Sequence, residues 1–177
     1  AIMLLCQHPE AYARARAEAL ACPGVPGHDD LPRLSYCLRV FKEALRLYPP
    51  APSLTARRTT QEMQVAGWRI PRRTLVFIVP WVAHHDARWF PEPEAFRPER
   101  FMPDAPPPPR GAWLPFGAGP RVCIGQHFAT LEMTLVAAML LQRYRLVLPP
   151  GAAPAVPVMN VTLRPRDPIE LLLQRRS

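Results

Sequence analysis

The chain has 177 residues, enough to bury one ordinary core, and 49% of them are hydrophobic, which excludes a disordered polymer. Its net charge of +8 comes from 22 basic and 14 acidic residues, and every basic residue except Lys42 is an arginine. Those arginines are scattered with no aromatic-basic module among them, which excludes a nucleic-acid footprint. In chain order, Ala1 to Leu5 reads as the last turn of a helix begun upstream. His8-Pro9-Glu10 opens a second helix, because proline is tolerated in a first turn and Glu10 complements the dipole there. It runs to Ala21 and stops at Pro23-Gly24. Asp29-Asp30-Leu31-Pro32 offers the next start, and Leu34, Leu38, Phe41 and Leu45 make an apolar stripe ending at Tyr48-Pro49-Pro50.

Residues 62–82 read as strands. Met63 to Val65 pairs across a turn at Gly67 with Trp68 to Ile70, and Thr74 to Val79 is a β-branched run. Residues 84–101 carry too much proline for a long element and read as ordered but irregular. Adjacent His84 and His85 point opposite ways in an extended segment, with no carboxylate or cysteine cluster beside them. They are therefore expected to be polar residues on a packed loop and not metal ligands. Pro106 to Pro109 is a short spacer. A long helix is expected from about Gln126, with Phe128, Leu131, Leu135 and Met139 recurring along it beside Val136 and Leu140. After the break at Leu148 to Gly151, Val156 to Leu163 and Ile169 to Leu173 read as two strands.

Cysteines stand at positions 6, 22, 37 and 123, with neither zinc-ligand spacing nor a disulfide framework. Cys6, Cys22 and Cys37 read as structural thiols in a reducing, cytoplasmic compartment. No apolar run reaches membrane-spanning length, and no signal peptide is present. The chain starts inside an apolar run without an initiator Met and reads as a piece of something longer.

Cys123 is set apart by its surroundings, Trp113-Leu-Pro-Phe-Gly-Ala-Gly-Pro-Arg-Val-Cys-Ile-Gly125. Glycines 117 and 119 let a planar group approach the main chain. The sulfur sits just before a helix N-terminus, where unpaired amides and the dipole favour an anion and hold a thiolate. A lone cysteine before a helix is usually a small buried hydrophobe. A thiolate with Arg121 two residues earlier instead suits axial ligation of haem iron.

FGAGPRVCIG resembles the haem-binding loop F-G-x-G-x-R-x-C-x-G of the cytochrome P450 family. Glu43 and Arg46 in KEALRLYPP resemble the family's E-x-x-R helix, and Pro98-Glu99-Arg100-Phe101 resembles its P-E-R-F segment. The motifs stand in the family's order, and the likeness covers residues 1–177. It is nearest in look to bacterial soluble members related to fatty-acid hydroxylases.

The resemblance implies a mainly α fold with small β-sheets (α+β), and residues 1–177 as the C-terminal haem-binding portion of one domain. The oxygen-activating helix would lie upstream, with at most its last turn at Met3 to Leu5, so the segment alone is not expected to be a competent enzyme. It implies Cys123 as the iron ligand of haem b, Phe116 packed against thiolate and haem, and Arg121 on a propionate. Gly117, Ile124, Gly125 and Ala129 would line the proximal side. Arg57 or Arg58 would reach another propionate, since the segment after Pro50 fits with a one-residue shift. Glu43, Arg46 and Arg100 would form a structural triad. Ala51, Ser53, Leu54, Asn160, Val161 and Thr162 would belong to two loops that touch substrate.

The implied activity is monooxygenation of a lipophilic substrate, with O2 activated by electrons from NAD(P)H. An acidic redox partner would deliver them, whether a ferredoxin, a flavodoxin-like protein or a reductase domain. Arg33, Arg39, Lys42 and Arg110 would face it. A peroxide-dependent or isomerising haem-thiolate enzyme shares these motifs, and a non-catalytic truncated remnant would carry them unused.

Overall fold

Proline sets the first boundaries in the computed structural model, which describes residues 1–175. Helix α1 (Ile2–Gln7) ends at His8, and Pro9 starts α2 (Pro9–Leu20) in the position where a missing N–H costs nothing. Along α2 the buried residues are Ala11, Ala15 and Ala19, one side chain per turn. That stripe of small residues lets α2 lie close against α3 (Ser35–Leu47) and α5 (Gln126–Arg143), where Ala138 and Leu141 are fully buried. Leu5, Leu34 and Leu141 fill the space around them, and each fully buried leucine stabilises the fold by about 1.5–3 kcal/mol.

The third helix begins later than the sequence suggests. Asp29 and Asp30 fall in a 3-10 turn, His28–Arg33, and α3 starts at Ser35 with no side chain of its own to cap it. Glu18 of α2 does this work from a distance. Its carboxylate accepts the Tyr36 and Cys37 amides, at 2.7 and 3.0 Å, and the Ser35 hydroxyl at 3.1 Å. Leu34, Phe41 and Leu45 of the expected stripe are buried, and Leu38 is only half-buried.

Among the described residues, four two-stranded antiparallel sheets edge the helices. The hairpin of β2 (Met63–Val65) and β3 (Trp68–Ile70) is the expected one. Of the β-branched run 74–79 only β4 (Leu75–Val76) is strand, paired with the unforeseen β1 (Arg57–Arg58). Helix α4 (Pro80–His84) follows, so the two histidines end a helical turn and do not lie in an extended segment.

The C-terminal strands also differ from expectation. Val156 to Leu163 is not one strand but the first half of a hairpin, β6 (Pro157–Met159) with β7 (Leu163–Pro165), whose tip is Asn160 to Thr162. Strand β8 (Leu172–Arg175) begins three residues after Ile169 and pairs with β5 (Tyr144–Val147), which continues directly from α5. On α5 the buried face is Thr134, Ala137, Ala138 and Leu141. Phe128 and Val136 of the expected stripe are exposed.

The three remaining thiols are structural in form. Cys6, Cys22 and Cys37 each donate to a backbone carbonyl, of Leu146, Glu18 and Ala15. Burial raises all three, pushing Cys37 up to about 12. Among the described residues no helix is long and apolar enough to cross a membrane.

Candidate active site: a cysteine loop on a buried ion network

The base of the site is Glu43, with no exposed surface, three residues from Arg46 on the inner face of α3. Its carboxylate takes the Arg46 guanidinium in a two-pronged bond, both contacts 2.8 Å. The same carboxylate accepts the Arg97 amide at 2.9 Å and Arg100 Nε at 3.3 Å.

Arg46 spends its remaining donors on the carbonyls of His84 (2.8 Å), Pro93 (2.7 Å) and Ala95 (3.2 Å). Arg100 also reaches the Glu92 carbonyl at 2.7 Å. The irregular segment 84–101 is thereby sewn to α3 by its backbone, which is how so proline-rich a stretch holds one shape. A buried charge pair repays its desolvation only when every donor and acceptor is used, and here they are.

His84 joins this base to the cysteine loop. It has no exposed surface. Nδ1 faces the Arg46 carbonyl at 3.2 Å, and Nε2 accepts the Leu114 amide at 2.9 Å. Burial is the main cause that lowers its pKa to about 4, so the ring is neutral. His85 turns away, stacks on Trp81 and bonds its carbonyl at 2.8 Å. No group of three or more His, Cys, Asp or Glu side chains placed for a metal ion occurs among the described residues. The part His84 plays was not read from sequence, where only its neighbour and its spacing could be weighed.

The loop itself is a succession of turns. Gly117 and Gly119 both take φ of 74°, a conformation that favours glycine. The Gly117 amide donates to Leu114 O at 3.2 Å, and Cys123 N–H donates back to Phe116 O at 2.9 Å. This closes a ring of main chain around Gly117 to Val122 and leaves Cys123 exposed three residues before the start of α5.

A cleft of about 360 Å³ opens beside the sulfur. Leu45, Pro50, Ala51 and Leu54 give it an apolar wall, Phe116, Gly117 and Cys123 another, and Arg57 and Arg121 enter it. The Leu54 methyl groups lie near Gly117, where a Cβ would meet them at 3.8 Å. Of the two candidate arginines, Arg57 lines the cleft and Arg58 does not.

The other expected residues lie around this centre. Ile124 is fully exposed, Gly125 stands next to the Cys123 sulfur, and the Ala129 amide bonds the Gly125 carbonyl at 2.9 Å. Ser53 is half-buried outside the cleft wall. Asn160, Val161 and Thr162 approach the segment after α3, since the Leu163 amide donates to Pro50 O at 3.0 Å. Leu54 N–H in turn donates to Ile78 O at 2.8 Å. The two loops expected to touch substrate are therefore neighbours.

Of the expected basic face, Arg33 is engaged by Asp30 at 3.0 Å and Arg39 is held near Ser35 at 3.4 Å. Arg110 is exposed, and Lys42 lines a second cleft with Trp113, Phe116 and His127.

A buried Glu-Arg-Arg network thus carries a glycine-turned loop with an exposed cysteine. The chain belongs to the cytochrome P450 family, whose model matches residues 1–173. It is 40% identical over 171 residues to cyclooctatin synthase of Streptomyces melanosporofaciens, covering 95% of this chain and 35% of that protein. Probable cytochrome P450 4d20 of Drosophila melanogaster is 36% identical and covers the whole chain. Among solved structures, retinoic acid-bound cyanobacterial CYP120A1 superposes with a TM-score of 0.88 at 35% identity, covering 98% of this chain and 40% of its own. The chain thus spans about a third of the length of the curated relatives it matches.

Proposed function

We propose that residues 1–177 are the C-terminal haem-binding portion of a single cytochrome P450 domain, part of a monooxygenase acting on a lipophilic substrate. The observation that carries this reading is the cleft where one exposed thiol, two arginines and an apolar wall converge. Haem b fits such residues. An apolar disc with two carboxylates matches an apolar wall with two guanidinium groups. A single sulfur, with no cluster of further metal ligands among the described residues, suits a metal already held by a macrocycle.

In this reading the Cys123 sulfur would hold the haem iron, with Phe116 packed beside it. Arg121 and Arg57 neutralise the propionates, and Gly117, Ile124, Gly125 and Ala129 border the ring. When bound, the haem supplies reductive O2 activation and insertion of one oxygen atom into substrate. The chain's own residues present the sulfur, with Leu54 and Phe116 lining the same cleft. Glu43, Arg46 and Arg100 hold the frame that carries the loop and take no part in the chemistry. Ala51, Ser53, Leu54, Asn160, Val161 and Thr162 contact substrate. The joined loops support this, and the retinoic acid in a related structure supports a lipophilic ligand. Electrons come from NAD(P)H through an acidic partner, a ferredoxin, flavodoxin-like protein or reductase domain, drawn to Lys42 and Arg110. Four free cysteines support a reducing, cytoplasmic setting.

The test is the Soret band of the reduced carbon-monoxide complex in the haem-loaded protein, before and after Cys123→Ser. A thiolate position that the substitution abolishes is expected. A nitrogen-ligated position in the unaltered protein would overturn the proposal.

A further inference from the structure

The buried imidazole of His84 bonds both the ion network and the cysteine loop. Its bonds fix its form. The Leu114 amide can only donate, so Nε2 must carry a lone pair; the Arg46 carbonyl can only accept, so Nδ1 must carry the hydrogen. Arg46 answers by donating from its guanidinium to the His84 carbonyl at 2.8 Å. The two residues are therefore tied in both directions, main chain to side chain each way.

On the other side, Leu114 begins the turn that ends in Cys123. Its carbonyl accepts Gly117 N–H at 3.2 Å, and the residue before Gly117, Phe116, accepts Cys123 N–H at 2.9 Å. The path from the ion network to the sulfur thus runs Arg46, His84, Leu114, Phe116, Cys123, and every step but the short stretches of chain is a hydrogen bond.

Resting on the haem-thiolate reading above, we propose that His84 is a positioning residue, a neutral latch that sets the cysteine loop on the Glu43–Arg46 helix and opens when the ring is protonated. A cationic ring would turn Nε2 into a donor facing the donor at Leu114, with no acceptor in place. Burial resists that proton down to about pH 4. The charged groups that act on the ring, Arg46 from α3 and His85 from its own helix, resist it too. The latch is closed at neutral pH and gives way in acid.

Two variants and one measurement on the unaltered protein test this. In the haem-loaded protein, His84→Phe leaves the Leu114 amide without its acceptor, and the thiolate form of the reduced carbon-monoxide complex should decay about tenfold faster or more. His84→Gln offers an acceptor and a donor on one planar group and should restore most of that lifetime. Because Gln does not titrate, it should also move the acid limit of the thiolate form to lower pH.

Should His84→Phe fail to fold, hydrogen exchange at Leu114 in the unaltered protein decides. Protection at neutral pH that is lost as pH falls through about 4 is the expected result. A His84→Phe protein that keeps its thiolate spectrum as long as the parent would overturn the proposal. So would a His84→Gln protein with the parent's acid limit, or an unprotected Leu114 amide at pH 7. If no thiolate spectrum is seen in the parent, the haem reading fails, and the Leu114 exchange still judges the latch.

Discussion

The base of the site and its mouth invert the usual arrangement of a globular protein. At the base, Glu43 and Arg46 are charged and have no exposed surface. At the mouth, Ile124 beside Cys123 is apolar and lies open, at 101% exposure. The difference is one of completion. Every polar group at the base finds its partner within the chain, so the base is rigid by itself. The mouth holds apolar and cationic groups whose natural complement is a flat apolar ligand with acidic edges.

That contrast can be broken at the base first. Glu43→Ala removes the acceptor shared by Arg46, Arg100 and the Arg97 amide. It leaves a buried guanidinium uncompensated and should cost about 3–5 kcal/mol. Little soluble haem-loaded protein is expected; normal yield with only turnover reduced would instead make the triad catalytic.

Acid attacks the same base more gently. Burial holds the folded-state pKa of His84 at about 4, below its ordinary 6.5. The unfolded chain therefore takes up the proton first. The stability contributed is present above pH 6.5, drains away as pH falls, and is gone below about 4. The full span is on the order of 3 kcal/mol. Urea midpoints recorded across this window should fall less steeply for His84→Gln than for the parent, and parallel curves would show that other groups set the slope.

At the mouth, Arg57→Gln should release haem about tenfold faster, the scale of one charged hydrogen bond. Arg58→Gln, outside the cleft, should change release little. Equal effects would mean that Arg57 and Arg58 act only through the β1–β4 pairing they share.

Smallest of all is the outer surface. Glu62 and Arg69 meet at 2.7 Å but stand 51% and 70% exposed, and Glu62→Ala should cost under about 1 kcal/mol. The set of four then ranks the molecule from its sealed base outward.

How much of this was legible in the sequence follows the range of the forces involved. The cysteine loop could be read because its glycine turns and helix start are local instructions. Glu43, Arg46 and Arg100 were implied by the resemblance of their motifs to the family's, and the structure joins them, yet the three carbonyls that Arg46 binds left no mark in residue type. Strand β8 was misplaced because its partner, β5, lies at the end of a helix some thirty residues earlier, and strand limits are set by pairing. The stripe expected on α5 held in part: Leu135 and Leu140 pack against the core, but Phe128 and Val136 are exposed, because α2 presents alanines and α5 turns its own small residues, Ala137 and Ala138, towards them.

The remote cap on α3 has a consequence for how the chain folds. Leu34 cannot bond the first amides of α3, so the helix has no starting signal in its own sequence. Forming a first turn is the unfavourable step in making any helix. Here that step is assisted by Glu18, a residue of α2 separated from Tyr36 by 18 positions. In the folded chain the first turn of α3 is thus secured by contact with α2. The two helices should open and close as a single cooperative unit. The helix that carries Glu43 and Arg46 is capped by one that contributes no residue to the cleft.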